Sequence, residues 1–270
     1  MVAEMIPVRR LEPAAGTITF LFTDVDDTLT HRGRLFPETY QALWRLAEHN
    51  IKIVPVTGGP GGWAHMIIRQ WPVDAIISES GAFVFYREDE QIRTMLHPSV
   101  EGRSEEIRVK IQALRDKVAK ELPGVRVSQD QFARMYDLAF DVNETEPRLD
   151  PHQAEMIMRI CREFGARTQM SSIHVNAWFG EYDKIETTKL YLSRRYGLIE
   201  KQMQSQVLYC GDALNDEPMF AFFDLSCGVA NIIDVQDRLK SLPKYVTEGR
   251  GGLGFAELAE KIIALRSANR

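Results

Sequence analysis

The chain has 270 residues, a formal net charge of −5, 44% hydrophobic residues and 26% charged ones. This composition excludes a disordered chain and a collagen-like one, and the length allows one large domain or two modest ones around a real core. The mild acidity argues against a protein built to grip nucleic acid, and no apolar run approaches the roughly 18–20 residues that span a bilayer, so neither nucleic acid nor a membrane is an expected partner.

Residues 1–16 carry Glu4, Arg9, Arg10 and Glu12 and lack the apolar stretch of a secretory signal, so a cytoplasmic location is expected. Residues 17–23 (TITFLFT) read as a buried strand, which runs into Asp24, Val25, Asp26, Asp27, Thr28 and Leu29. Ligands of open α/β sheets bind beyond the carboxyl ends of the strands. Carboxylates crowded there repel one another unless a cation or a shared proton offsets the cost. The alternative for this segment alone is a helix cap or an Asx turn. Residues 37–49 read as a helix, with Pro37 in its first turn and Leu43, Leu46 and Ala47 on one face. Residues 51–56 form a second predicted strand, weakened at its end by Pro55. It leads into Thr57, Gly58, Gly59, Pro60, Gly61 and Gly62, where a hydroxyl and closely spaced backbone N–H groups can hold a phosphate. No lysine follows these glycines, so this is not the GxxxxGK[ST] nucleotide loop. A helix over 61–71, a strand over 74–78 and a hairpin arm over 82–86 complete the first block.

The texture then changes. Residues 87–102 are polar and turn-rich, and residues 104–122 read as a charged amphipathic helix with Ser104 as its N-cap. Alternating runs over 125–128 and 136–142, a helix over 151–164, and runs over 167–171 and 173–179 follow. The order helix, strand, strand, helix, strand, strand predicts an antiparallel sheet with two helices on one face. The expected division is a core of residues 1–86 plus 180–270 with an insert of residues 87–179. Arg134, Tyr136, His174, Asn176 and Trp178 stand at strand and loop ends of the insert and are candidate contacts to a substrate. Each has a plainer alternative as a half-buried sheet residue packing on the helices, and His174 as a satisfied structural histidine.

From residue 183 the α/β pattern resumes: a helix over 185–196, a strand over 206–210, a helix over 214–223, a strand over 225–230, a short helix over 235–240, a strand over 244–247 and a closing helix over 255–265. The strand over 206–210 runs into Gly211, Asp212, Ala213, Leu214, Asn215 and Asp216. Two acidic strand ends in one parallel sheet can converge on one hard cation, and oxygen ligands without nearby Cys or His favour Mg²⁺. Either cluster could instead cap a helix. Lys184 lies where the insert returns to the core, and a compact ammonium there suits holding phosphate oxygens against the carboxylates; Lys189 is the alternative. Cys161, Cys210 and Cys227, odd in number and widely spaced, make neither a disulfide framework nor a zinc site and are expected to be buried thiols.

Taken in order, DxDx[T/V] at residues 24–28, Thr57-Gly58, Lys184 and GDxxND at residues 211–216 resemble the haloacid dehalogenase (HAD) superfamily over nearly the whole chain. The insert resembles a type-2 cap of the IIB branch, the Cof-like, sucrose-phosphatase-like and mannosylglycerate-phosphatase-like group. Residues 228–231 (GVAN) and 245–247 (YVT) also resemble that branch. The resemblance implies an α/β fold, a Rossmann-like parallel-sheet HAD core with an inserted α+β type-2 (C2B) cap. It implies Asp24 as nucleophile, forming an aspartyl-phosphate, and Asp26 as general acid and then general base. Thr57 and the Gly58 N–H would bind the phosphoryl group, Lys184 would neutralise its charge, and Asn215 would orient Lys184 or the phosphate. Mg²⁺ would be held by Asp24, the Asp26 carbonyl and Asp212, with Asp216 in or near the shell. Three positions depart from the usual pattern: Asp27 replaces a frequent glycine, Glu79-Ser80-Gly81 stands where Asn-Gly is usual, and Gly59 stands where Arg often follows Thr-Gly. The implied activity is Mg²⁺-dependent hydrolysis of a small phosphorylated metabolite, with a sugar phosphate expected. The alternatives are a hexose phosphomutase of the same fold and a catalytically silent binding module, against which the four intact elements speak.

Overall fold

A computed structural model describes residues 5–171 and 173–268. Residues 1–4 of the amino-terminal segment, Glu4 among them, lie outside the described residues.

Six strands form a parallel sheet in the order Ile6–Pro7, Tyr245–Val246, Leu225–Gly228, Val207–Gly211, Phe20–Thr23, Lys52–Pro55. The strand Phe20–Thr23 is buried along its whole length, as a parallel strand covered on both faces must be. Alternate residues serve the two faces. Leu21 joins a cluster with Leu43, Leu46, Phe255 and Leu258, from the helices Pro37–Glu48 and Gly251–Ala268. Phe20 and Phe22 join Tyr191, Leu192, Phe220 and Phe223 on the other side. Burying each such side chain is worth roughly 1.5–3 kcal/mol, so these two clusters fix the register of the central strands. Register matters here because Thr23 pairs with Cys210, and Asp24 N–H donates to the Cys210 carbonyl at 2.9 Å. The two acidic strand ends therefore leave the sheet side by side.

Pro55 is the last residue of its strand, and the ladder goes on without it through a parallel bridge from Val56 to Ile77. That bridge joins an antiparallel sheet of Ala75–Ser78, Phe83–Glu88 and Gln91–Leu96. The stretch expected to be polar and turn-rich thus contains a strand, and the core-side sheet runs past the expected boundary at residue 86. The inserted unit has two helices, Ser104–Glu121 and Pro151–Glu163, against an antiparallel sheet in the order Arg167–Met170, His174–Trp178, Asp137–Asp141, Arg126–Val127. Its own apolar cluster includes Leu114, Val118, Leu138, Phe140, Ile157 and Val175.

Several boundaries differ from the sequence reading for local reasons. Ser104 is the first helical residue and caps nothing; Arg103 is the N-cap, and the Ser104 hydroxyl shares a hydrogen bond with Tyr136 Oη at 3.2 Å. The second insert helix does have a side-chain cap: the Asp150 carboxylate accepts Gln153 N–H at 2.9 Å, and Gln153 Oε1 accepts Asp150 N–H. The first central strand begins at Phe20, because Pro13–Thr17 forms a 3-10 turn. A helix at Glu200–Gln206 was not anticipated. The closing helix starts at Gly251, earlier than its glycines suggested, since low helix propensity gives way there to close packing. A Cβ on Gly252 would collide with Thr39 Oγ1. Cys161, Cys210 and Cys227 are buried and unbridged. Among the described residues no helix is long and apolar enough to cross a membrane.

The 3-10 turn Glu79–Gly81 meets the chain where the insert returns. Thr187 Oγ1 donates to the Gly81 carbonyl at 2.6 Å, and a Cβ on Gly81, at φ +115°, would collide with the Asp183 carbonyl. Gly81→Ala therefore combines backbone strain with a backbone clash, and is expected to destabilise the protein by about 2 kcal/mol or more, measured by denaturant unfolding.

Candidate active site

Lys184 is the first residue of the helix Lys184–Tyr196, and Asp183 caps that helix by accepting Glu186 N–H at 2.8 Å. The cap aims Lys184 inward. Its Nζ lies 2.5 Å from Asp24 Oδ1 and 2.8 Å from Asp216 Oδ1, with the side chain 3% exposed. Lys189, the alternative, lies at the surface over the Phe222 ring and pairs with Glu200. Asp24, Asp212 and Asp216 are buried, and each offers a carboxylate oxygen within 4.8 Å of the others. One ammonium among three carboxylates leaves excess negative charge, so the set fits a hard divalent cation held by oxygen atoms.

The carboxylates are not equivalent. Asp216 Oδ1 accepts Lys184 and Tyr209 Oη (2.6 Å), while Oδ2 accepts the N–H groups of Asp212 (3.0 Å) and Ala213 (3.2 Å). With four hydrogen bonds, Asp216 fixes Lys184 and the turn that carries Asp212. Asp212 Oδ1 accepts Thr28 Oγ1 at 2.8 Å. Asp26 is half-buried, and its carboxyl group forms no hydrogen bond among the described residues. Burial pushes Asp24 up to about 8; Lys184 pulls it down, and Asp216 and Asp26 add to the rise. Burial, with Asp24 and Asp216, raises Asp212 well above the usual carboxylate range. Burial also raises Asp26, against the pull of His174. Burial alone would lower Lys184, yet Asp216 and Asp24 hold it above its ordinary value. The site as it stands is a place where protons or a cation must offset carboxylate charge. Asp27, at φ +58°, turns its carboxylate away to accept Arg32 N–H at 2.9 Å, so it sits where glycine is common without adding its side chain to the cluster.

Across a cavity of about 130 Å³ from these carboxylates lies the turn at Thr57 and Gly58. Thr57 Oγ1 accepts Gly59 N–H at 2.8 Å, which leaves the hydroxyl proton free to point into the cavity. Asn215 also lines the cavity, and its Oδ1 is buried without a partner. No hydrogen bond joins Asn215 to Lys184; of the two expected roles, orienting that lysine or the phosphate, its place on the cavity wall is compatible with the second.

The candidate substrate contacts divide. His174 lines the cavity, and its Nε2 lies 3.0 Å from Glu144 Oε2. Arg134 and Asn176 also border it, but their donors are already engaged. Arg134 holds Asp130 and Asp137 at 2.9–3.1 Å and the Gly58 carbonyl at 2.9 Å. Asn176 Nδ2 holds Asp137 at 2.9 Å and the Gly58 carbonyl at 3.2 Å. Trp178 is not at the cavity: it is buried, stacks on Tyr182 at 5.8 Å and donates to the Tyr182 carbonyl. Tyr136 is likewise outside, its hydroxyl paired with Ser104. Several site residues were not singled out from the sequence, among them Glu144, Asp137, Tyr209 and Trp63, whose indole borders the cavity mouth. Glu79 appeared only as a departure from a pattern. It is fully buried and accepts the N–H groups of Gly61 (2.9 Å), Met135 (2.9 Å) and Tyr136 (2.6 Å), tying the core turn to the insert.

Residues 21–114 match the sequence model of the haloacid dehalogenase-like hydrolase family. No curated protein sequence matches the chain. Among solved structures it is similar to Thermoplasma acidophilum 0175, with a TM-score of 0.70 at 17% identity over 92% of this chain and 99% of that one. It is similar also to the C-terminal domain of Candida albicans trehalose-6-phosphate phosphatase, with a TM-score of 0.68 at 12% identity over 99% of each chain. A third is the sucrose-phosphatase of Synechocystis in complex with sucrose and phosphate, with a TM-score of 0.63 at 14% identity over 91% and 98% of the two chains. At these identities the likeness is one of fold, and it extends over parallel sheet and insert alike.

Burial and the neighbouring Asp137 push Glu79 up to about 8, against its three backbone donors. A carboxyl raised above its unfolded value of about 4.5 stabilises the fold below that pH and loses its contribution as pH rises toward 8. Relative to Glu79→Gln, the wild type is therefore expected to lose at least about 1.4 kcal/mol between pH 5 and pH 8, the equivalent of one pKa unit, in unfolding measured at both pH values.

Proposed function

We propose that this chain is a haloacid dehalogenase-like hydrolase and, more narrowly, a Mg²⁺-dependent phosphomonoesterase acting through an aspartyl-phosphate on a small phosphorylated metabolite, a sugar phosphate foremost. The observation that carries this reading is the buried Lys184 paired with Asp24 and Asp216, together with one cavity that Asp24, Asp26, Asp212 and the Thr57–Gly58 turn line in common. Two neighbours named as phosphatases of sugar phosphates support the substrate class.

In this reading Asp24 attacks phosphorus, and the bond from phosphorus to the alcohol oxygen breaks. Asp26, whose raised affinity for its proton suits it to the task, gives that proton to the departing oxygen. Water then attacks the aspartyl-phosphate, Asp26 takes the water proton, and inorganic phosphate leaves. Thr57 Oγ1 and Gly58 N–H hold the phosphoryl oxygens, with Lys184 supplying fixed positive charge. Asp24, the Asp26 carbonyl and Asp212 are the groups for Mg²⁺, which supplies neutralisation of phosphoryl charge. Asp216 acts through its bonds to Lys184 and the Asp212 turn. The inserted unit serves as a cap, and His174, with its orientation set by Glu144, faces the leaving group. The cavity is smaller than the roughly 300–1,000 Å³ of common ligand sites, so a sugar phosphate enters by displacing the cap.

Phosphate release from p-nitrophenyl phosphate and a panel of sugar phosphates, with Mg²⁺ and with EDTA, tests the reading. Release is expected only with Mg²⁺, and Asp24→Asn should lower kcat by about 10³-fold or more with the fold retained. Release that persists in Asp24→Asn would rule out the aspartyl-phosphate route. The raised Asp24 and Asp212 carboxyls also predict proton release when Mg²⁺ binds, and tighter binding at higher pH. Calorimetry in two buffers of different ionisation heat at pH 7 reads that release directly.

A further inference from the structure

The three carbonyls of the turn at Thr57, Gly58 and Gly59 are all engaged, two by the core and one by the inserted unit. Thr57 O accepts Ser80 N–H at 3.2 Å, and Gly59 O accepts Glu79 N–H and Ser78 Oγ at 3.1 and 2.9 Å. All three of those donors belong to the core. The middle carbonyl, Gly58 O, is held by the inserted unit: Arg134 Nη1 at 2.9 Å and Asn176 Nδ2 at 3.2 Å. This pair of donors is itself fixed. The Arg134 side chain is 1% exposed, Asp137 is fully buried, and Asp137 binds both Arg134 and Asn176 while Asp130 binds the rest of the guanidinium.

A peptide between two glycines flips more readily than any other, because neither neighbour has a Cβ to restrict it. A flip of the Gly58–Gly59 peptide would break the Gly59 N–H bond to Thr57 Oγ1 and turn a carbonyl oxygen toward the cavity. An oxygen there repels phosphoryl oxygens, whereas the present arrangement offers them a hydroxyl and an N–H.

We propose that Arg134 and Asn176 are positioning residues that complete the phosphate-holding turn from the inserted unit, so that the turn is correctly set only when that unit is seated on the core. The proposal rests on the phosphatase reading for its catalytic consequence, but its structural content is affinity for a phosphate group. Arg134 and Asn176 thus act through the Gly58 peptide and not on the leaving group, where the sequence alone placed them.

The test uses the full-length protein with Mg²⁺, inorganic phosphate binding by calorimetry, and turnover of p-nitrophenyl phosphate. Asn176→Ala removes one donor and leaves the Arg134–Asp137 pair; Arg134→Lys keeps the charge and loses the planar guanidinium that holds Asp130 through Nε and Nη2 while Nη1 holds Asp137 and Gly58 O. Melting temperature is followed for both. Each variant is expected to bind phosphate roughly 10-fold more weakly and to lose a similar factor in kcat, and the double variant roughly 100-fold, with Mg²⁺ affinity unchanged. Unchanged phosphate affinity in folded Asn176→Ala would overturn the proposal, whatever happens to turnover. Phosphate binding is read whether or not an ester is hydrolysed. A wild type that binds phosphate but turns over no ester therefore sinks the phosphatase reading alone, and one that binds no phosphate sinks both.

Discussion

Lys184 is a buried ammonium that only carboxylates can keep charged, and the carboxylates are buried groups whose charge a cation or protons must offset. Removing an ammonium from water costs several kcal/mol, and the same is true of each carboxylate. The exchange is favourable only because Asp24 and Asp216 stand within 2.8 Å of Nζ and because Asp216 is itself held by Tyr209 and two backbone N–H groups. Every large feature of the core serves that arrangement. The parallel pairing of Phe20–Thr23 with Val207–Gly211 sets the two acidic turns side by side, and the Asp183 cap starts a helix whose first residue reaches between them.

The balance remains uneven, with three carboxylates against one ammonium. A protein that buries such an imbalance is held in readiness for a positive partner, and the raised affinity of Asp24 and Asp212 for protons expresses the same tension. Structural ion pairs seldom look like this, since a stable buried pair is neutral and has every lone pair engaged. Asp216 meets that description; Asp24 and Asp212 do not.

A second polar layer joins the inserted unit to the core. Glu79 reaches from the core to the N–H groups of Met135 and Tyr136, and Arg134 and Asn176 reach back to Gly58. Apolar contacts alone would hold two such surfaces in many relative positions. Directional bonds between buried groups leave few, since each group left unpaired costs about 1–3 kcal/mol. The joint therefore both seats the insert and fixes the geometry of the turn beneath it.

The α/β core, the order of helices and strands between residues 104 and 178, and the candidate groups Asp24, Asp26, Thr57, Lys184, Asp212 and Asp216 are legible in the chain. The carboxylates and Thr57 stand within a few residues of strand ends, where apolar runs of strand length stop, and Lys184 opens the helix by which the chain returns to the core. Tertiary structure alone decided which donors were free. Arg134, Asn176 and Trp178 are polar or aromatic residues near strand ends, as substrate contacts often are, yet Asp130, Asp137, Gly58 and Tyr182 occupy them. Glu79 stands in the sequence as a departure from the Asn-Gly pattern, and only the fold brings its three N–H partners together, two of them far along the chain. The physical reason is that a hydrogen-bonding group is spent by whatever partner folding brings to it. Local periodicity shows where a side chain leaves the backbone, while the long-range packing of core and insert decides what meets it.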